Sequence, residues 1–158
     1  MRTRYLSRYA IFVALAIECL VVGFTTDTFF TQANLSNVLR QNAFIAILGA
    51  GMTFVILTGG IDLSVGSVVG LSGVVCADLL ARQSGVVPAV AAGILVGVGV
   101  GLFNGLAVTR LRIPAFVVTL AMMLVVRGAA FKYTDARTIT GLPAGFSALS
   151  GGPAAAAV

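Results

Sequence analysis

Five apolar runs, at about residues 9–24, 42–57, 64–81, 86–108 and 115–131, take up most of the chain and leave it few ways to fold. A helix needs about 20 apolar residues to cross a bilayer's hydrocarbon core, so each run is close to one span. Lipid offers no partner to a bare N–H or C=O, and runs of this length satisfy their backbone internally as α-helices. Composition points the same way. Of the 158 residues, 59% are hydrophobic and 9% charged, and the mean hydropathy is +1.07, well above ordinary soluble domains. The expectation is an all-α, polytopic transmembrane helix bundle of about five spans, forming one membrane domain over residues 1–158. The basic leader "MRTRY" precedes the first run, no small-x-small cleavage site follows, and the run reads as an uncleaved membrane helix.

The net charge is +5. Its ten basic residues lie at the edges of apolar runs, as membrane-orienting charges do, and form no stripe for a nucleic-acid partner. There is no histidine, and the two cysteines, Cys19 and Cys76, are far apart inside apolar runs. No metal site or disulfide framework is expected from that inventory. Without a histidine or a closely spaced acid pair to activate a serine, no catalytic residue is nominated and the chain is not read as an enzyme.

One stretch interrupts the apolar pattern. In "TGGIDLSVG", residues 58–66, an aspartate, paired glycines and hydroxyls stand between two apolar runs. A lone aspartate at the centre of a membrane helix costs roughly 2.5–3.5 kcal/mol on insertion scales, so Asp62 needs partners. Gly59 and Gly60 permit a break from helical geometry. Asp62 and Ser64 are suited to cap the helix that begins "LSVGSVVGL", with Gly66 in its first turn. Two readings of Asp62 follow: a helix cap in a tight turn, or part of a broken-helix site lining a translocation path.

Further on, Gly93, Gly97, Gly101 and Gly105 recur every four residues. That spacing keeps them on one slowly drifting face, where a neighbouring backbone can approach closely. Pro114 falls near the start of the next run, where its missing N–H costs nothing. Arg127, near the end of the fifth run and followed by Lys132, is expected either to snorkel to the interface or to form a buried ion pair. Between the first two runs, Asn34, Ser36 and Asn37 are candidate N-caps.

Two long stretches, "VILTGGIDLSVGSVVGLSGVV" and "GVGVGLFNGLAVTRLRIPAFVVTLAMMLVVRGAAFKYT", followed by "GLP", resemble the permease subunit of bacterial ABC sugar importers of the ribose, xylose and galactose type. The likeness runs from about Asn42 to about Pro143. It implies a multi-pass protein of the bacterial inner membrane that imports a monosaccharide. The implied partners are a second permease copy, a cytoplasmic ABC ATPase that would hold ATP and Mg, and a periplasmic sugar-binding protein; no cofactor is expected on the permease itself. The matching positions are Gly59, Gly60, Asp62, Leu63, Ser64 and Gly66, then Asn104, Gly105, Phe116, Thr119, Leu120, Arg127 and Gly128. Asn104, Phe116, Thr119 and Arg127 are candidate path-lining residues, because sugars call for amide or hydroxyl hydrogen bonds and an aromatic surface.

Permeases of this kind are considerably longer, and the glycine-asparagine-glutamate-rich segment that docks on the ATPase has no counterpart here. The chain is therefore expected to be an N-terminal half, apparently truncated, ending in the low-complexity "GGPAAAAV". Alternatives to a sugar permease are a permease for branched-chain amino acids, and a non-transporting fragment or membrane scaffold.

Overall fold

The computed structural model describes residues 3–143. Among them are five helices and no strand: α1 (Thr3–Thr25), α2 (Gln32–Leu57), α3 (Val65–Ala81), α4 (Val86–Arg110) and α5 (Ala115–Thr134). Three of them, α2, α4 and α5, are long and apolar enough to cross a membrane, whereas α3 and the apolar part of α1, Tyr9–Thr25, are shorter. The chain divides into two compact units between Ile47 and Leu48, within α2.

In the first unit α2 starts about ten residues ahead of its apolar run. Thr31 starts it: its Oγ1 accepts the Asn34 N–H at 3.3 Å, an N-cap contact to the first turn. The expected caps Asn34, Ser36 and Asn37 lie inside the helix instead. Asn34 still serves the turn, donating its Nδ2 to the Phe29 carbonyl at 2.8 Å. Phe29 and Phe30 meet edge to face at 4.9 Å, and Phe30 lies where a Cβ on Gly23 would stand.

In the second unit α2 ends at a left-handed glycine. Gly59 has φ +74°; its N–H reaches the Ile56 carbonyl at 2.9 Å while Gly60 N–H reaches Val55 at 3.1 Å. This is the Schellman arrangement, in which the positive-φ residue turns the chain back onto the last carbonyls. Helix α3 ends in the same way on Gln83, at φ 59°, with Gln83 N–H on Leu80 O and Ser84 N–H on Leu79 O, both at 3.0 Å. For α5 the left-handed residue is Asp135.

Helices α3, α4 and α5 pack on one another. Contacts at both ends make α3 and α5 parallel, with α4 antiparallel to them. Thr119 near the start of α5 meets Ile61 just before α3, while Tyr133 near the end of α5 donates to Asp78 near the end of α3 at 2.7 Å. Asp78 also receives Arg82 at 2.9 Å. Large apolar side chains point outward, as lipid permits. The fully buried residues include Leu80, Ala89, Ala107, Val118 and Val126, and with them the polar Ser64, Asn104 and Thr119.

The four-residue glycine repeat divides into two halves. A Cβ on Gly93 would lie 3.2 Å from the Ser72 carbonyl and one on Gly97 3.9 Å from Val68, so these two receive α3. Gly101 and Gly105 meet nothing within 4 Å among the described residues. The expected single packing face is thus a contact over its first half and open space over its second. Cys76 lies half-buried beside Gly93.

Two outcomes follow for unfolding midpoints measured by far-UV circular dichroism in mixed micelles. Gly93→Ile should lower stability by about 1–3 kcal/mol, because the added methyl groups force α4 off α3, whereas Gly101→Ile should leave it within about 0.5 kcal/mol. Gln83→Gly should raise it by about 1 kcal/mol and Gly59→Ala lower it by about as much, since a Cβ at positive φ is strained.

Candidate functional site

The seven residues from Thr58 to Ser64 are non-helical, and their polar groups are met from two other helices. Asp62 Oδ1 accepts both the Ser64 N–H at 2.8 Å and the Ser64 hydroxyl at 2.6 Å. The carboxylate thus closes a local turn two residues long, of the kind aspartate favours. Ser64 is the N-cap of α3 by position, but its side chain makes no capping bond. This corrects the expectation that Asp62 and Ser64 cap the helix by accepting its first N–H groups. The hydroxyl hydrogen is taken by Asp62, and the hydroxyl oxygen accepts Asn104 Nδ2 from α4 at 3.0 Å.

Directions in this chain of bonds are dictated by chemistry. The Ser64 hydroxyl has one hydrogen to give, and it points at Asp62 Oδ1. Ser64 must therefore donate to Asp62 and accept from Asn104, which fixes the amide with Nδ2 toward Ser64. The other end of that amide, Oδ1, is buried and has no hydrogen-bond partner among the described residues. A second tie comes from α5, where Thr119 Oγ1 donates to the Ile61 carbonyl at 3.1 Å. Ser64 is 1% exposed, Thr119 3% and Asn104 6%, so the break is held by three buried polar side chains and a half-buried aspartate.

This polar wall borders two cavities. One, of about 660 Å3, is an open-sided cleft between the broken segment, the end of α4 and the start of α5; Thr58, Gly59, Gly60, Asp62, Asn104, Gly105, Thr109, Arg112 and Thr119 line it. The other, of about 190 Å3, lies between the start of α3 and the middle of α4 and is lined by Val65, Val68, Gly97 and Val100 among others. Asp62, Gly101 and Asn104 belong to both. The open half of the glycine repeat, Gly101 and Gly105, therefore gives the larger cavity a smooth backbone wall. Its volume falls within the range of small-molecule sites.

Of the candidate path-lining residues, the fold brings Asn104 and Thr119 together at the break and sets the other two apart. Phe116 is 53% exposed and reaches the cluster only through its carbonyl, 3.4 Å from Thr119 Oγ1. Arg127 borders a separate groove of about 460 Å3 between α3 and α5, with Leu63, Gly66, Ser67 and Met123. Helix α5 continues to Thr134, so Arg127 stands about two turns inside the helix rather than in its last turn, where Lys132 sits. The one ion pair among the described residues joins Asp78 and Arg82; Arg127 is not in it. Sequence reasoning passed over Arg112, which lines the large cavity with φ at 56°. Only its place in the short "TRLRIP" link hinted at it.

Comparison with known proteins gives the same direction. The family described as "Branched-chain amino acid transport system / permease component" matches residues 34–157. The ribose import permease protein RbsC of Escherichia coli K12 is 42% identical over 123 residues, 78% of this chain and 38% of the relative. RbsC of Bacillus subtilis is 40% identical over 131 residues, 83% of this chain and 41% of the relative. The galactose/methyl galactoside import permease protein MglC of E. coli K12 is 34% identical over 163 residues, 94% of this chain and 48% of the relative. The chain thus spans less than half the length of these relatives. No solved structure matches it. With that family matched over more than half of this chain and a helical bundle of the expected kind, the chain belongs to the family of branched-chain amino acid transport system permease components, and it is similar to the ribose and galactose import permeases.

Proposed function

We propose that this chain is part of the transmembrane permease subunit of an ATP-driven importer for a monosaccharide, and that the cavity at the α2–α3 break belongs to its translocation path. The observation that carries this reading is the polar wall of buried Ser64, Asn104 and Thr119 with half-buried Asp62 inside an apolar bundle, beside a cavity of about 660 Å3. Buried polar groups in a membrane protein are costly and tend to mark pathways. The relatives are named as import permeases for ribose and for galactose, which supports a sugar over a branched-chain amino acid, although the family description names the latter.

On this reading the protein carries out no covalent step. ATP and Mg would act on a partner ATPase, a periplasmic binding protein would deliver the sugar, and a second permease copy would complete the path in the bacterial inner membrane. The permease residues would supply hydrogen bonds that exchange with those of the sugar as the helices move between outward- and inward-facing states. Asn104 and Thr119 are proposed to line the path. Phe116 and Arg127 do not line this cavity and are proposed to contribute elsewhere along the path.

A chimera tests the proposal. The segment of E. coli RbsC that aligns with this chain is replaced by this chain in cells that lack RbsC, and uptake of labelled ribose and galactose is measured. Uptake of either sugar well above the deletion strain is expected. A chimera that inserts normally yet moves neither would overturn the reading. Within an active chimera, Asn104→Leu should lower uptake at least about tenfold, because Ser64 loses its donor and Asp62 is left beside an apolar group. Phe116→Leu should change uptake less than about threefold.

A further inference from the structure

Helices α3 and α5 carry an open groove separate from the cleft at the break. Its first part, of about 460 Å3, runs past Leu63, Gly66 and Met123 to Arg127. It continues into a second part of about 480 Å3, which ends among Thr134, Arg137 and Thr138. Gly70, Val74, Ala130 and Phe131 wall both parts. The link after α5 makes the far end. Asp135 and Ala136 both have positive φ, 48° and 58°, and Ala136 N–H returns to the Phe131 carbonyl at 2.9 Å, which folds Arg137 back beside α3. Two arginines ten residues apart in sequence thus border one groove. Among the described residues no acid lines either part. Asp78, near the same end of α3, is already met by Tyr133 and Arg82.

We infer that this groove is a binding site for an anionic phospholipid, with the phosphate held between Arg127 and Arg137 and one acyl chain lying along α3. The groove has the length, the polarity gradient and the charge for that ligand. From Gly66 to Ala77 it runs about 16 Å, at 1.5 Å per residue, which is one leaflet's share of a hydrocarbon core about 30 Å thick. Its walls are apolar at Leu63, Val74 and Met123 and turn polar at Thr134 and Thr138, the order in which an acyl chain and a headgroup would lie. Gly66, Gly70 and Gly73 meet nothing within 4 Å where a Cβ would stand, so the floor is smooth. Arg127 lies about two turns inside α5, where an unpaired charge in lipid is costly. Its long side chain can turn toward the helix end, and a phosphate there supplies the oxygens that guanidinium binds in pairs. A zwitterionic lipid would bring an ammonium group to a lining without a carboxylate. Basic pockets between membrane helices recognise anionic headgroups in this way. The inference goes beyond the proposed function and gives Arg127 a lipid contact in place of a stretch of the path.

The test is native mass spectrometry of the full chain released from nanodiscs of equimolar phosphatidylglycerol and phosphatidylcholine with matched acyl chains. Expected is retention of phosphatidylglycerol over phosphatidylcholine on the order of tenfold. Arg127→Gln and Arg137→Gln should each cut that preference to about threefold or less. Lys132→Gln, the same charge change on α5 but outside both parts of the groove, should leave it within about twofold. Gly70→Leu should lower retention of both lipids, because its side chain fills the shared floor. If Arg127→Gln inserts poorly, Arg137→Gln, in the link, and Gly70→Leu decide. Equal retention of the two lipids overturns the inference. So does a preference that Arg127→Gln and Arg137→Gln leave intact, or that Lys132→Gln lowers as far, since net charge then explains it. Phosphatidylglycerol carried by the monomer but excluded from a dimer assigns the groove to a second copy and overturns it too. Sugar uptake is measured separately by the chimera; an active chimera in which Arg127→Gln abolishes uptake while lipid preference is unchanged returns Arg127 to the path and overturns the lipid contact.

Discussion

A helix broken inside an apolar bundle leaves backbone and side-chain polar groups that lipid cannot satisfy, and the second unit of this protein is arranged around that requirement. The Schellman turn at Gly59 ends α2 by returning two N–H groups to the last carbonyls. The stretch that follows is then tied down from α4 by Asn104 and from α5 by Thr119. Removing either helix would strand Ser64 or the Ile61 carbonyl without its present partner. The break therefore does more than connect two helices: it makes the positions of α4 and α5 interdependent.

The same ties account for the placement of empty space. Where α3 and α4 run together, Gly93 and Gly97 bring the backbones close, and van der Waals contact holds the pair. Farther along α4 the broken segment occupies the end of α3's line, and Gly101 and Gly105 face a cavity instead of a neighbour. One periodic feature thus serves packing over one half and openness over the other. At the opposite end of α3 and α5, Tyr133, Asp78 and Arg82 form an exposed cluster, and its contribution to stability is limited by solvent competition.

Sequence reasoning succeeded where the signal is local. Apolar length identified the helices, and paired glycines beside an aspartate located the break, because a residue's own φ preference and its transfer energy act at that residue. It failed where a neighbour in space decides. The α2 cap was sought at Asn34, Ser36 and Asn37, whereas Thr31 provides it, since the polar residues that follow tolerate a helix once a cap has started it. Arg127 looked close to a helix end because apolar residues thin out after Phe131, but the hydrogen-bonded helix continues to Thr134.

By itself, then, the sequence determined an all-helical membrane chain, a glycine-containing interruption at residues 58–64 and a likeness to importer permeases. Tertiary structure alone decided which polar side chains meet. Asn104 is 40 residues from Ser64, and Thr119 is 58 from Ile61. Along uniformly apolar helices no amphipathic stripe marks which face turns inward, because lipid and protein interior are about equally apolar. Small residues and a few hydrogen bonds set the pairing instead, and those can be matched only when the helices are placed side by side.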